Sequence, residues 1–280
     1  MIKNICVVGA GTMGSGIALA AAQNNFDVVL FDINEIVVAK ARVRINDNLD
    51  FLVGKQKIAE TDKVSILKKI VFSSSLNDCR AGLIIEAIIE KIEAKEDVFK
   101  KLAQINSHQT IFASNTSSLS ISTIQKYIPH PERVVGMHFF NPANIMKLVE
   151  VVKGSLTSDA VAQAVMDICL ALQKTPVLCN DAPGFIVNRV ARHYYLEAMY
   201  LVEKNIASIE NIDAVMESIG FKMGPFKLMD LIGMDINLAV SKSIYEAFDK
   251  IERFKPSPLQ VDKVAKGQLG RKTGQGFYAY

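Results

Sequence analysis

The stretch Gly9-Ala10-Gly11-Thr12-Met13-Gly14 decides the fold of this chain. The apolar run Ile2 to Val8 precedes it, and the Ala-rich segment Met13 to Ala22 follows it with helical spacing. Val28 to Phe31 then repeats the strand pattern, so the region is predicted to form a strand, a tight turn, a helix and a second strand. Such a βαβ unit predicts a parallel sheet.

The spacing GxGxxG arises often by chance, but between a strand and a helix it is typical of a dinucleotide-binding turn. Gly9 permits the turn, Gly11 lets the backbone approach a pyrophosphate, and Gly14 allows the helix to pack near the strand. The amides of the first helical turn, which holds Thr12 and Met13, then offset the phosphate charge.

Asp32 closes the second strand and distinguishes between two cofactors. Its carboxylate can accept hydrogen bonds from the ribose hydroxyls of NAD, but it would repel the 2′-phosphate of NADP. The next residues, Ile33 and Asn34, include no Arg that could bind such a phosphate. The sequence therefore favours NAD.

The first part of the chain is predicted to be a doubly wound α/β domain of the Rossmann type, over residues 1–182. Asn34 to Lys69 is too long for one crossover and contains Gly54, so we expect a two-helix excursion there. Apolar runs predict further buried strands in a mainly parallel sheet, at Ile70 to Ser73, Gly82 to Ala87, Thr110 to Ser114, Val134 to Phe139, Lys147 to Lys153 and Thr175 to Asn180.

The pattern changes after the turn Asp181-Ala182-Pro183-Gly184. The chain beyond it has helical spacing and no strand pattern, which predicts a smaller all-helical domain over residues 183–280. The helical segments are Phe185 to Asn205, Ile209 to Gly220, Gly224 to Ile251 and Pro258 to Gly267.

Composition excludes several classes of protein. The 280 residues carry 32 basic and 29 acidic side chains, far from the charge excess of a nucleic-acid binder. The four cysteines lie far apart and no His stands at zinc-ligand spacing, so neither a disulfide framework nor a metal site is expected. The chain shows no signal-peptide pattern and no apolar run that would span a bilayer, and we expect a cytoplasmic protein that does not enter the membrane.

His138 and Glu150 are candidates for acid–base chemistry. A lone histidine at a strand end is more often structural than catalytic. If the chain folds back in antiparallel fashion about Asn144, however, both residues stand six positions from the turn and face each other. A carboxylate beside the imidazole would select its tautomer and support its charged form, as a group that exchanges an alcohol proton requires.

Other polar residues remain ambiguous from the sequence. Asn115, Ser117 and their neighbours follow a predicted strand at the edge of the sheet where ligands bind, although such clusters also form turns and helix caps. Asn188, near the start of the second domain, could bind a substrate carbonyl or a structural partner. Between Lys40 and Lys69 stand eight basic and four acidic side chains, which suit a phosphate or a solvated helix equally well.

Seven motifs, in the same order along the chain, resemble those of the L-3-hydroxyacyl-CoA dehydrogenases. The resemblance extends from Ile2 to Tyr280. Within that family the chain looks most like the compact bacterial 3-hydroxybutyryl-CoA dehydrogenases, which have no fused hydratase domain. The motifs are the glycine turn, Glu86-Ala87-Ile88-Ile89-Glu90, Ser114-Asn115-Thr116-Ser117-Ser118-Leu119, His138-Phe139-Phe140-Asn141-Pro142, Lys147-Leu148-Val149-Glu150-Val151-Val152, Pro183-Gly184-Phe185-Ile186-Val187-Asn188-Arg189 and Gly270-Arg271-Lys272-Thr273-Gly274-Gln275-Gly276-Phe277-Tyr278.

The resemblance implies roles for individual residues. His138 would be the general acid/base and Glu150 its orienting partner. Ser117 would bind the substrate's 3-oxygen, and Asn188 would help to hold the acyl group. Three residues match family positions that line the nicotinamide side of the cofactor, namely Glu90, Lys95 and Asn115. A CoA-contacting lysine matches Lys55, and Asn48 stands where some relatives carry a serine near CoA, so its contact with CoA is open.

The implied reaction is reversible hydride transfer between NAD and C3 of a short-chain 3-hydroxyacyl-CoA. Two alternatives stay open: a dehydrogenase of a free 3-hydroxy acid, and a structural relative that has lost the chemistry. The family resemblance also implies a homodimer formed through the helical domain. The apolar segments Ile232-Gly233-Met234 and Ala239 to Ile244 could belong either to that interface or to the interior.

Overall fold

The computed structural model describes residues 2–280. The chain forms two compact units, of which the first ends at Ala182 and the second covers Pro183–Tyr280. The first unit has a sheet with helices, and the second is built of helices.

One eight-stranded sheet organises the first unit, in the order β3-β2-β1-β4-β5-β6-β7-β8. Neighbouring strands are parallel except for β6 and β7, which are antiparallel. The strand order reverses between β1 and β4, which defines the crevice where doubly wound sheets bind ligands. The predicted fold class is confirmed by strands β1 (Asn4–Val8), β2 (Asp27–Phe31), β3 (Ile70–Ser73), β4 (Leu83–Glu86), β5 (Ile111–Ser114), β6 (Val134–Phe139), β7 (Leu148–Lys153) and β8 (Thr175–Asn180).

The burial of the strands follows their place in the sheet. The central strands β1 and β4 are covered on both faces, which explains their unbroken apolar runs. The expectation that Thr175 to Asn180 is a buried strand was wrong, because β8 lies at the edge of the sheet and most of its side chains are exposed or half-buried. An apolar run does not show which strand will be outermost.

The two-helix excursion is confirmed between β2 and β3. Asn34 starts its first helix by accepting a hydrogen bond from the amide of Ile36 at 2.9 Å. The buried residues of that helix, Val38, Ala41, Ile45 and Leu49, follow helical spacing, so one face packs inward. The helices of the unit are α1 (Thr12–Gln23), α2 (Glu35–Gly54), α3 (Glu60–Lys68), α4 (Ile92–Ile105), α5 (Ile121–Gln125) and α6 (Asp159–Ala171).

The second unit contains α7 (Val187–Glu203), α8 (Ile209–Ser218), α9 (Pro225–Ile232), α10 (Met234–Ala247) and α11 (Pro258–Ala265). The segment Gly224 to Ile251, predicted as one helical stretch, is divided at Gly233, whose φ of +103° lies outside the helical region. The two apolar segments that the sequence could not assign to an interface or to the interior contain both buried and exposed residues. Met234 and Ile244 are buried in the unit, whereas Ile232 is exposed.

Two buried aspartates organise the second unit. Asp213 of α8 accepts hydrogen bonds from the amides of Phe226 and Lys227, which lie in the first turn of α9. Asp230 of α9 accepts from the amides of Phe277 and Tyr278 and so holds the end of the chain. The Tyr278 hydroxyl donates to Asp213 at 2.8 Å, which joins the two centres.

Candidate active site

The glycine turn is closed by contacts within the first unit. Gly9 has a φ of +104°, and a Cβ at this position would lie 2.6 Å from the carbonyl oxygen of Ala87. A Cβ at Gly14 would lie 1.7 Å from the carbonyl oxygen of Gly9. Both positions therefore require glycine, as the sequence predicted for the turn and the helix packing. The Ala10 amide donates to Asp32 Oδ2 at 3.0 Å, which brings that carboxylate to the turn.

The first turn of α1 fits the diphosphate of a dinucleotide. Helix α1 begins after Gly11, and within residues 2–280 no side chain caps it and no acidic residue lies in its first turn. A Cβ built on Gly11 meets no atom within 4 Å, so the space in front of these amides is open. Helix amides that face open space favour an anion, and the Asp32 carboxylate lies beside them.

A buried ion network joins the ends of β4 and β5. The Lys95 ammonium, 1% exposed, contacts Glu86 Oε1 at 2.7 Å and Glu90 Oε2 at 3.1 Å. The Ser114 hydroxyl donates to the other oxygen of Glu86 at 2.6 Å. Because a buried charge needs a partner, Lys95 holds both carboxylates in place.

Glu90 organises the loop after β5. Its Oε1 accepts hydrogen bonds from the Thr116 hydroxyl and from the amides of Ser117 and Ser118. Burial alone would raise the pKa of Glu90, but the Lys95 ammonium and these hydrogen bonds outweigh burial and hold that pKa below its ordinary value. Glu90 therefore stays ionised at neutral pH, and Ser117 is positioned by its backbone.

His138 on β6 pairs with Glu150 on β7, which confirms the predicted register. The imidazole Nδ1 lies 2.7 Å from Glu150 Oε2, and both side chains are buried. The carboxylate accepts a hydrogen bond from Nδ1–H, so Nε2 is the nitrogen that can exchange a proton with a ligand. The Asn115 side chain accepts a hydrogen bond from the Phe139 amide at 2.8 Å. The loop after β5 is thereby tied to the strand that carries His138.

The candidate CoA residues lie on α2 and at its end. Asn48 accepts a hydrogen bond from the Asn144 side chain at 3.2 Å, and both residues border a depression of about 220 Å³. Lys55 caps the C-terminal end of the helix, is exposed, and its ammonium lies 5.8 Å from the centre of the Phe51 ring. Lys55 is therefore on the surface, and Asn48 is half-buried beside the turn between β6 and β7.

Asn188 belongs to the first turn of α7 in the second unit. Its backbone carbonyl accepts a hydrogen bond from Arg192 Nε at 3.3 Å. The sequence patterns do not indicate a role for Arg192, Glu86 or Arg44. Glu86 could have been found as the charged residue that ends the apolar run of β4, and Arg44 stands one helical turn before Asn48.

Arg44 Nη1 donates to the Ser15 hydroxyl at 2.9 Å and borders the same depression as Asn48. Across residues 2–280, no three His, Cys, Asp or Glu side chains are grouped so that they could hold a metal ion. Over the same residues, no helix combines the length and the apolar character needed to cross a membrane.

Comparison with known proteins identifies the family. The family model described as "3-hydroxyacyl-CoA dehydrogenase, NAD binding domain" matches residues 4–182, and the one for the C-terminal domain matches residues 184–280. The chain belongs to the 3-hydroxyacyl-CoA dehydrogenase family. The NAD-binding domain of this family supports NAD as the cofactor, which the sequence favoured.

Three relatives illustrate the likeness. The "3-hydroxyadipyl-CoA dehydrogenase" of Escherichia coli is 43% identical over 279 residues, which cover 99% of this chain and 59% of that protein. The "probable 3-hydroxybutyryl-CoA dehydrogenase" of Bacillus subtilis is 41% identical, with 100% of this chain and 98% of that protein covered. The crystal structure of (S)-3-hydroxybutyryl-CoA dehydrogenase PaaH1 from Ralstonia eutropha has a TM-score of 0.94 and 39% identity, covering 100% and 99% of the two chains.

Gly11→Ala tests the proposed pyrophosphate position. We expect the variant to unfold at a urea midpoint close to that of the wild type, because the new Cβ meets no protein atom. Its affinity for NAD should fall at least tenfold, since the methyl group occupies the space in front of the α1 amides. Fluorescence titration with NADH measures the affinity.

The matched variant is Gly14→Ala, whose Cβ would collide with the Gly9 carbonyl. It should lower the free energy of unfolding by roughly 3 kcal/mol or more. Wild-type NADH affinity in Gly11→Ala would contradict the assigned position of the pyrophosphate.

Proposed function

We propose that this protein interconverts (S)-3-hydroxybutyryl-CoA and acetoacetyl-CoA, or closely related short-chain 3-hydroxyacyl-CoA thioesters, with NAD. The observation that carries the proposal is the buried His138–Glu150 pair, joined at 2.7 Å. Through Asn115 and Phe139 this pair is linked to the loop that carries Ser117. The names of the Bacillus and Ralstonia relatives support the butyryl group.

In this proposal His138 carries the proton of the reaction. During oxidation Nε2 takes the proton from the 3-hydroxyl group, and during reduction the imidazolium returns it to the 3-oxygen. Glu150 accepts the Nδ1 hydrogen bond throughout, so it keeps one tautomer and stabilises the charged ring. Since Glu150 is almost completely buried, water competes poorly for its hydrogen bond to His138.

The cofactor would supply the hydride chemistry, because bound NAD would exchange a hydride with C3 of the substrate. Gly9, Gly11 and Gly14, with the amides of Thr12 and Met13, would hold its pyrophosphate, and Asp32 its adenosine ribose. Glu90 and Asn115 would contact the nicotinamide side, as family resemblance implies. Lys95 would act there through Glu90, because its ammonium lies between two carboxylates and is buried.

Two further residues would hold the reacting group. The hydroxyl of Ser117 would donate to the 3-oxygen, on which negative charge develops during reduction. Its backbone is held by Glu90, which supports a defined position for that hydroxyl. Asn188, in the first turn of α7, would bind the acyl group through its side-chain amide.

CoA would be recognised by α2. Lys55 is an exposed cation suited to a nucleotide phosphate. Asn48 would contact CoA at the depression it shares with Asn144. The basic excess of the excursion, seen in the sequence, supports this role.

A homodimer through the second unit is also proposed. Exposed apolar side chains of α8, α9 and α10, namely Val215, Ile232 and Ile236, together with Ile219 just after α8, could be covered by a second copy. Sedimentation equilibrium should give a mass twice that of one 30.8 kDa chain. A single-chain mass across micromolar concentrations would refute the dimer.

His138→Gln should lower kcat by about 10²- to 10⁴-fold, because glutamine can form a hydrogen bond but cannot exchange the proton. NADH affinity should be unchanged, as the glycine turn is untouched. The assay follows NADH absorbance after addition of acetoacetyl-CoA.

The wild type distinguishes the alternatives in the same assay. Free acetoacetate as the better substrate would favour a dehydrogenase of free 3-hydroxy acids, and no turnover of either compound would favour an inert relative. Near-normal turnover by His138→Gln would show that His138 does not carry the proton of the reaction.

Lys55→Ala should raise KM for acetoacetyl-CoA at least fivefold, because a phosphate contact is lost. The KM for acetoacetyl-pantetheine, which lacks the nucleotide, should change by less than twofold. Lys57→Ala is the matched control, two residues away in an exposed position. Equal effects of Lys55→Ala on both substrates would argue against a phosphate contact.

A further inference from the structure

A buried guanidinium in the second unit has only neutral partners. Arg192 of α7 is 3% exposed, and it donates to the Asn188 carbonyl, the Asn237 carbonyl and the Ser241 hydroxyl at 3.3, 2.9 and 2.9 Å. Among residues 2–280, no Asp or Glu forms an ion pair with it. Buried arginines are normally paired with an anion, whereas the partners of Arg192 among residues 2–280 are neutral.

The cluster carries one positive charge. Burial lowers the pKa of Arg192 to about 10, so the side chain is protonated at neutral pH. The guanidinium lies 4.8 Å from the centre of the Tyr195 ring, and burial raises the pKa of that phenol, which is therefore neutral. All of the hydrogen bonds of the guanidinium within residues 2–280 use Nε and Nη1, which leaves the Nη2 group available to a further acceptor.

A second donor in the same cluster also has no acceptor. The Nδ2 atom of Asn237 is buried and has no hydrogen-bond partner among the described residues. Exchanging the oxygen and nitrogen of this amide does not solve the problem, because Oδ1 already accepts from Arg192 Nη1 and Gln260 Nε2. After the exchange, the NH₂ group of Asn237 would point at Arg192 Nη1 and Gln260 Nε2, which are themselves donors. The orientation is thus determined, and the donor remains without an acceptor.

We infer that Arg192 and Asn237 bind a carboxylate at the far end of the substrate's acyl chain. The inference rests on the proposed function, in which Asn188 holds the acyl group. Arg192 stands four residues after Asn188, on the same face of α7 and about 6 Å further along its axis. In a six-carbon acyl chain the terminal carboxyl carbon is three bonds beyond C3 and about 4 Å from it when the chain is extended. The side chains of Asn188 and Arg192 can span the rest of the distance between their positions on α7.

The charge and the donors favour a carboxylate over a phosphate. One carboxylate neutralises the single positive charge of the cluster, whereas a phosphate dianion would leave an excess negative charge in a buried site. A carboxylate also has two oxygens, one for Arg192 Nη2 and one for Asn237 Nδ2. Chains that end in a methyl group offer neither donor an acceptor.

The experiment compares two six-carbon substrates that differ only at the chain end. (S)-3-hydroxyadipyl-CoA ends in a carboxylate and (S)-3-hydroxyhexanoyl-CoA in a methyl group, and kcat/KM is measured for each from NADH formation. The wild type should prefer the carboxylate. Arg192→Met should lower the ratio of the two kcat/KM values at least 30-fold, since the loss of one partner of a buried charge pair typically has effects of this size.

The ratio cancels any loss that both substrates share, such as a shift of α7. Arg192→Lys should lower it less than Arg192→Met, because a lysine keeps the charge but not the forked geometry. Arg253→Met removes an exposed positive charge from the same unit and should leave the ratio unchanged.

A wild type that prefers the hexanoyl chain would overturn the inference, even if Arg192→Met failed to fold. An unchanged ratio in Arg192→Met would overturn it as well and would assign Arg192 a structural role. Failure of the proposed function is distinguishable, because the wild type would then turn over neither of these two substrates nor acetoacetyl-CoA.

Discussion

The proposed chemistry depends on one buried contact, the hydrogen bond between His138 and Glu150. Both side chains are buried, so water competes poorly for the hydrogen bond between them. The antiparallel pairing of β6 and β7 places them opposite each other. Because side chains alternate between the faces of a strand, a shift by one residue would turn Glu150 to the opposite face. The register of a single hairpin therefore controls the acid–base pair.

Two buried cations in this chain, Lys95 and Arg192, have different kinds of partner. Lys95 lies between Glu86 and Glu90, and the resulting network holds the loop that carries Ser117. Its charge is compensated within the first unit, as expected of a structural ion pair. Arg192 has neutral partners, and the amide of Asn237 beside it lacks an acceptor. The contrast distinguishes a cation that supports the site from one suited to bind a ligand.

Local patterns predicted much of the fold. All eight strands, the two-helix excursion and the His138–Glu150 register follow from apolar runs, from glycine positions and from counting residues to a turn. The errors have physical causes as well. Gly233 divides a helical stretch because it adopts a positive φ that the helical spacing of its neighbours does not indicate. The exposure of β8 follows from its edge position, which depends on the order of the strands.

The sequence by itself determined the glycine turn, because the strand, the glycines and Asp32 belong to one βαβ unit and interact locally. Tertiary structure alone decided which distant side chains meet. The hydrogen bond from Phe139 to Asn115 and the cluster of Arg192, Asn237 and Gln260 join elements that are far apart in the chain. Such contacts depend on how strands and helices pack, and the spacing of residues within one element contains no information about its neighbours.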